Sequence, residues 1–101
     1  MAQREIIDIA KKYLNFLKEE KFQISKAYLF GSYAKGTNKP ESDIDIAFIF
    51  KELKDEIDMQ IKLMKLRRKF DLRIEPHPFE KKDMDEENPF LNEILQTGIL
   101  I

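Results

Sequence analysis

Ser42-Asp43-Ile44-Asp45-Ile46-Ala47-Phe48-Ile49-Phe50 is the stretch on which the fold turns. Side chains alternate across a strand, so Ile44, Ile46, Phe48 and Phe50 share one face. Asp43, Asp45, Ala47 and Ile49 share the other. A strand this apolar is expected to be packed on both faces, which makes the two aspartates expensive to place there without a function. Like charges held close repel, and burial raises their pKa values unless a cation binds. Two hard carboxylates projecting from one face suit Mg²⁺, which usually takes one or two carboxylates together with substrate phosphates.

Before this strand, residues 4 to 20 read as an amphipathic helix with Ile6, Ile9, Ala10, Tyr13, Leu14, Phe16 and Leu17 on one side. Ile24 to Phe30 reads as a strand, ending at the strand-to-helix turn Gly31-Ser32-Tyr33-Ala34-Lys35-Gly36. Asn38-Lys39-Pro40-Glu41 is a loop by composition. After it, residues 52 to 68 form a helix with two apolar groups. Leu53, Ile57, Ile61 and Met64 make one stripe; Met59, Leu63 and Leu66 lie on a different side. Phe70 to Glu75 alternates as a strand, and Pro76 and Pro78 are expected to stop it because proline removes a ladder donor. His77, between the prolines, reads as a turn residue, and Glu80 to Glu87 as an exposed mixed-charge loop. A last helix runs from Pro89 to Gln96, with Gly98 as its stop. The order is α-β-(short α)-β-α-β-α, an α/β (α+β) fold in which helices pack on a small mixed sheet. Residues 1–101 are expected to form one domain.

The hydrophobic share of 43% is ordinary for a single core. With 18 basic and 19 acidic side chains there is no global field favouring nucleic acid, although a local basic patch such as Arg67-Arg68-Lys69 leaves room for it. Cysteine is absent, so a disulfide framework and thiolate metal sites are excluded, which fits the cytoplasm. The N-terminus leads into a charged amphipathic stretch, so neither a signal peptide nor a membrane segment is expected.

Gly31-Ser32 lies ten residues before Asp43-Ile44-Asp45. A glycine lets a phosphate approach the backbone, amides at the opening of a helical turn face an anion, and the serine hydroxyl adds a donor. A P-loop is excluded, because Thr37 follows Gly36 with no lysine between them.

Taken together, Gly31-Ser32-Tyr33-Ala34-Lys35-Gly36 and Ser42-Asp43-Ile44-Asp45-Ile46 resemble the signature of the DNA polymerase beta-type nucleotidyltransferase superfamily. The length resembles its minimal nucleotidyltransferases. The resemblance implies a polymerase beta-like fold and a third carboxylate on a neighbouring strand, flanked by apolar residues. Phe70-Asp71-Leu72 and Ile74-Glu75-Pro76 are the two candidates. The run Arg67 to Pro76 is similar to the polymerase beta segment at Asp71, which makes Asp71 the expectation. Asp43, Asp45 and Asp71 would then be catalytic and hold two Mg²⁺ ions about 4 Å apart. Gly31, Ser32, Lys35, Gly36 and Ser42 would bind the nucleoside triphosphate. Lys35 stands where arginine is common, a point charge without the bidentate fork. An acceptor hydroxyl would attack the α-phosphorus in line, and pyrophosphate would leave. Minimal members resemble antitoxins that sit beside a HEPN-class toxin, some of which adenylylate that partner. ATP is then the expected donor and a hydroxyl of the partner protein the expected acceptor. A partner or a second copy of the chain would complete the substrate site. The alternative is a nucleotide-binding module that neutralises its partner by complex formation.

Overall fold

The computed structural model describes residues 3–84 and 88–101. Helix α1 (Gln3–Glu19) buries Ile6, Ala10, Tyr13, Leu14 and Leu17, the helical spacing of one continuous stripe. Strand β1 (Ile24–Phe30) leads into the single turn α2 (Ser32–Lys35), and β2 (Ile44–Phe50) returns antiparallel to β1. Helix α3 (Glu56–Leu66) is capped by the Asp55 carboxylate, which accepts from the Asp58 amide at 3.0 Å. A 3₁₀ turn (Arg67–Lys69) ends it, and β3 (Ile74–Glu80) then runs parallel to β2. Helix α4 (Pro89–Thr97) has Pro89 in its first turn and an Asn88 side-chain cap. The strand order is β3-β2-β1-β4. No helix among the described residues is long and apolar enough to cross a membrane.

The sheet is covered on both faces, as the composition of β2 requires. Ile44, Ile46, Phe48 and Phe50 join Ile6, Tyr13, Leu17 and Leu63 in the larger core. Ala47 and Ile49, on the other face, pack with Phe30, Phe79, Leu91 and Ile94 under α4. Tyr13 is fully buried and donates its hydroxyl to the Leu63 carbonyl at 2.6 Å, tying α1 to α3. Burial pushes this phenol far above its usual pKa. Tyr13→Phe removes this bond while the Leu63 carbonyl keeps the Arg67 amide as a donor, so it is expected to cost about 1 kcal/mol, read from the midpoint of urea unfolding.

Three expectations need correction. A short strand, β4 (Ile99–Leu100), follows Gly98 and pairs antiparallel with β1; two residues carry no periodic signal. The mixed-charge run begins with a 3₁₀ turn (Lys81–Met84), while Asp85 to Glu87 lie outside the described residues. Most consequentially, β3 spans Ile74–Glu80 rather than 70 to 75, and passes straight through Pro76 and Pro78. The reason is its place at the sheet edge. The Ile44 amide donates to the Arg73 carbonyl at 2.8 Å, so odd-numbered residues of β3 turn their backbone polar groups towards β2. Even-numbered residues turn theirs outward, where a missing proline N–H breaks no ladder bond. The outward carbonyls of Ile74 and Pro76 are instead taken by Arg67 at 2.7 Å and Gln60 at 3.2 Å.

Candidate active site

Where β1 ends, Phe30 stands opposite Asp45 in the antiparallel register. The next residue, Gly31, turns the chain into α2 at φ 77° and ψ −152°, a conformation that L side chains rarely adopt. The Asp45 carboxylate lies directly against this turn, and a Cβ on Gly31 would run into its Oδ2. The backbone conformation thus requires glycine here, and an added Cβ would also displace the Asp45 carboxylate. Gly36 has a simpler task. It ends α2 at φ 76° with its amide on the Ser32 carbonyl, and a Cβ there would meet nothing within 4 Å.

On the other side of Asp45 stands β3. The parallel register places Glu75 beside Asp45 and His77 beside Ala47. In-register residues of neighbouring strands project from the same face, about 4.8 Å apart along the sheet. Asp45 therefore lies between Phe30 and Glu75, and His77 Nε2 reaches Asp45 Oδ1 at 3.3 Å. Both side chains are about one quarter exposed, so solvent reaches the pair. The His77 ring meets Phe30 edge-on, with centroids 5.0 Å apart, and Phe90 lies 6.3 Å from it. The sequence hides this contact, because a strand is expected to stop at Pro76. The usable signal was that Glu75, His77 and Phe79 continue an odd-numbered face through the prolines.

Asp43 sits one residue before β2 and is exposed. Asp71 is not on a strand at all. It lies before the turn that leads into β3, and Leu72, one of its expected apolar flanks, is 66% exposed. The Asp71 carboxylate is claimed by Arg73, through Nη2 to Oδ2 at 2.7 Å and Nε to Oδ1 at 3.0 Å. The Arg73 amide adds a third bond at 2.9 Å. Hydrogen bonding from the guanidinium holds this carboxyl below the usual range. Arg73 also reaches the Tyr33 hydroxyl at 3.3 Å and the Pro40 carbonyl at 3.5 Å. The pair thus pins the loop before β2 to the turn before β3. Asp71 thus lies off the strand expected to carry it, whereas Glu75 lies on β3 beside Asp45.

The remaining residues surround this end of the sheet. Ser32 opens α2 and is partly exposed. Ser42 Oγ accepts from the Lys39 amide at 2.7 Å, closing the loop just before Asp43. Lys35 pairs with Glu93 of α4 at 3.5 Å, with both side chains well exposed. Phe30, Gly31, Lys35, Phe90, Glu93 and Thr97 line a cleft of about 180 Å³ here. Larger hollows of about 490 and 570 Å³ lie against α3, and neither is lined by Gly31, Asp43 or Asp45. The basic cluster is largely structural. Arg67 holds Ile74 and Glu75, the latter at 3.5 Å, and the Lys69 ammonium sits 5.0 Å from the Phe16 ring centroid. Among the described residues, no three Asp, Glu or His side chains gather closely enough to hold a metal ion by themselves.

Comparison with known proteins bears on the family and the fold. A "Putative protein adenylyltransferase" of Methanocaldococcus jannaschii is 30% identical over 100 residues, covering 94% of this chain and 97% of that protein. The crystal structure of a "putative nucleotidyltransferase" from Sulfolobus solfataricus superposes with a TM-score of 0.66 at 24% identity, covering 83% of this chain and 75% of that one. A mutant of the toxin-antitoxin MntA-HpeT superposes with a TM-score of 0.65 at 26% identity, covering 91% and 70%. Residues 6–101 match the family described as Polymerase beta, Nucleotidyltransferase. With that match reaching from the first helix to the last residue, the chain belongs to the polymerase beta nucleotidyltransferase family, and its chemistry is nucleotidyl transfer.

Proposed function

We propose that this protein transfers AMP from ATP to a hydroxyl of a partner protein, with Asp43, Asp45 and Glu75 as the carboxylates that hold Mg²⁺. The observation that carries the reading is the in-register pair Asp45 and Glu75, with Gly31 packed against the first of them. Asp45 and Glu75 are in register on neighbouring strands, and exposed Asp43 lies two residues before Asp45 in the chain, which offers hard-oxygen donors without a closed cage. Such a set fits Mg²⁺ bound jointly with a triphosphate, whose oxygens complete the coordination. When bound, Mg²⁺ neutralises triphosphate charge and makes the acceptor hydroxyl easier to ionise.

The chain's own residues do the positioning. Gly31 and Ser32 receive the phosphates at the turn, and Lys35 and Ser42 flank them. His77 holds Asp45 by its Oδ1, and Phe30 holds the His77 ring. The acceptor oxygen forms a bond to the α-phosphorus as the bond to the bridging oxygen breaks. Pyrophosphate leaves, and the hydroxyl proton passes to Glu75. Protein as the acceptor is supported by the name of the archaeal relative, and a partner by the toxin-antitoxin neighbour. A HEPN-class toxin is the partner implied by the sequence resemblance.

The test is incubation with ATP, Mg²⁺ and the product of the adjacent gene, followed by intact-mass measurement. The expected result is a gain of one AMP on the partner, abolished by a chelator. A stable complex with no mass gain would replace the transferase reading with that of a binding module. Separately, ATP with Mg²⁺ is expected to raise the melting temperature more than either alone. A ligand at 100 times its dissociation constant adds about 2.7 kcal/mol by mass action. Equal stabilisation by ATP in chelator would refute the metal assignment.

A further inference from the structure

Helix α3 carries two apolar stripes, and the core uses only one. Leu63 is fully buried, with Met59 and Leu66 packed beside it against the main core. The other stripe faces outward: Ile57 is 74% exposed and Ile61 49%. Leu72, from the turn before β3, is 66% exposed beside them. Exposed apolar residues scattered singly need no explanation. Here, three of the five large exposed apolar residues among the described residues line one hollow of about 570 Å³, together with Met64, Lys65 and Arg68.

We propose that this groove is the docking surface for the acceptor protein, which presents an apolar helix face flanked by carboxylates. The inference rests on the transferase reading for the word acceptor, and on the groove alone for the chemistry of what binds. The stripe Ile57, Ile61, Met64 has the i, i+4, i+7 spacing by which a helix meets another helix. Lys65, Arg67 and Arg68 line the groove, and no carboxylate among the described residues does. Among the described residues, Lys65 and Arg68 have no ion-pair partner. The charge of Lys65 and Arg68 favours an acidic partner, and it opposes a symmetric dimer through the same surface, which would bring four such cations together. Strand addition at the adjacent edge is blocked. Pro76 and Pro78 offer no N–H, and the outward carbonyls of Ile74 and Pro76 already accept from Arg67 and Gln60. The groove also borders the catalytic end of the sheet, because Arg67 lines it and reaches Glu75 at 3.5 Å.

The experiment uses two labelled synthetic peptides of about 18 residues, five helical turns. Both carry leucine along one face; one has Glu on the flanks and the other Lys. Binding is read by fluorescence anisotropy without ATP, so it is independent of transfer. The acidic peptide is expected to bind at least about tenfold more tightly than the basic one, and to weaken as salt rises. Ile61→Glu is expected to lose that binding by about tenfold or more without lowering the melting temperature, since the side chain is half exposed. Arg68→Glu should reverse the preference between the peptides. Equal affinity for both peptides, or no binding of either at about 1 mM, overturns the proposal. So does self-association of the chain that Ile61→Glu abolishes, because the occupant is then a second copy. Retained peptide binding with no AMP transfer would count against the transferase reading alone.

Discussion

Asp45→Asn is expected to abolish AMP transfer, Glu75→Gln to reduce it by more than about 10²-fold, and Asp71→Asn to reduce it by less than about tenfold. The ranking follows from where each carboxylate can go. Asp45 lies between Gly31 and Glu75 at the open end of the sheet, positioned by His77. Its amide variant keeps the shape but loses the charge that a cation needs. Glu75 is held beside it by the parallel register and steadied by Arg67 at 3.5 Å. Asp71, in contrast, is engaged by two guanidinium nitrogens and a backbone amide. Ligating a metal would require breaking that pair, so its substitution should loosen the Tyr33 and Pro40 anchor more than it slows chemistry. Stability should therefore fall for Asp71→Asn. It should be unchanged or slightly raised for Asp45→Asn, where a repelling neighbour is removed. Single-turnover rates at saturating Mg²⁺ decide the order. A larger loss in Asp71→Asn than in Glu75→Gln would return the third carboxylate to Asp71.

Gly31→Ala should be as damaging to activity as loss of a carboxylate, for a mechanical reason. At φ 77° and ψ −152° a Cβ strains the backbone, at a cost of about 1–3 kcal/mol. The same Cβ meets Asp45 Oδ2, so either the turn or the carboxylate must move. A displacement of about 0.5–1 Å at such a site is enough to cost roughly 10²-fold in rate. The expected result is loss of transfer together with reduced stability in urea. Adding Asp45→Ala to Gly31→Ala tests the mechanism. It removes the collision but leaves the backbone strain, so stability should recover in part while activity stays lost. Additive stability losses in the double variant would show that the two residues do not press on one another.

What the chain determined on its own was everything that periodicity and local chemistry can carry. The alternation of Ile44 to Phe50 marked a strand buried on both faces. The stripe from Ile6 to Leu17 marked the helix that covers one of those faces. The spacing of Gly31-Ser32 from Asp43 and Asp45 marked a turn that returns to a carboxylate strand, because glycine and alternation are local requirements. The prolines misled for a reason that is not local. Whether a proline stops a strand depends on whether its missing N–H would have faced a neighbour, and only the strand order answers that. Once β3 is an edge with its even-numbered residues facing outward, Pro76 and Pro78 are harmless. The register then brings Glu75 beside Asp45 and lets His77 reach it. The two stripes of α3 make the same point. Both Leu63 and Ile61 are written into the sequence as apolar, and the packing of one helix against one sheet decides which is buried and which is left facing out.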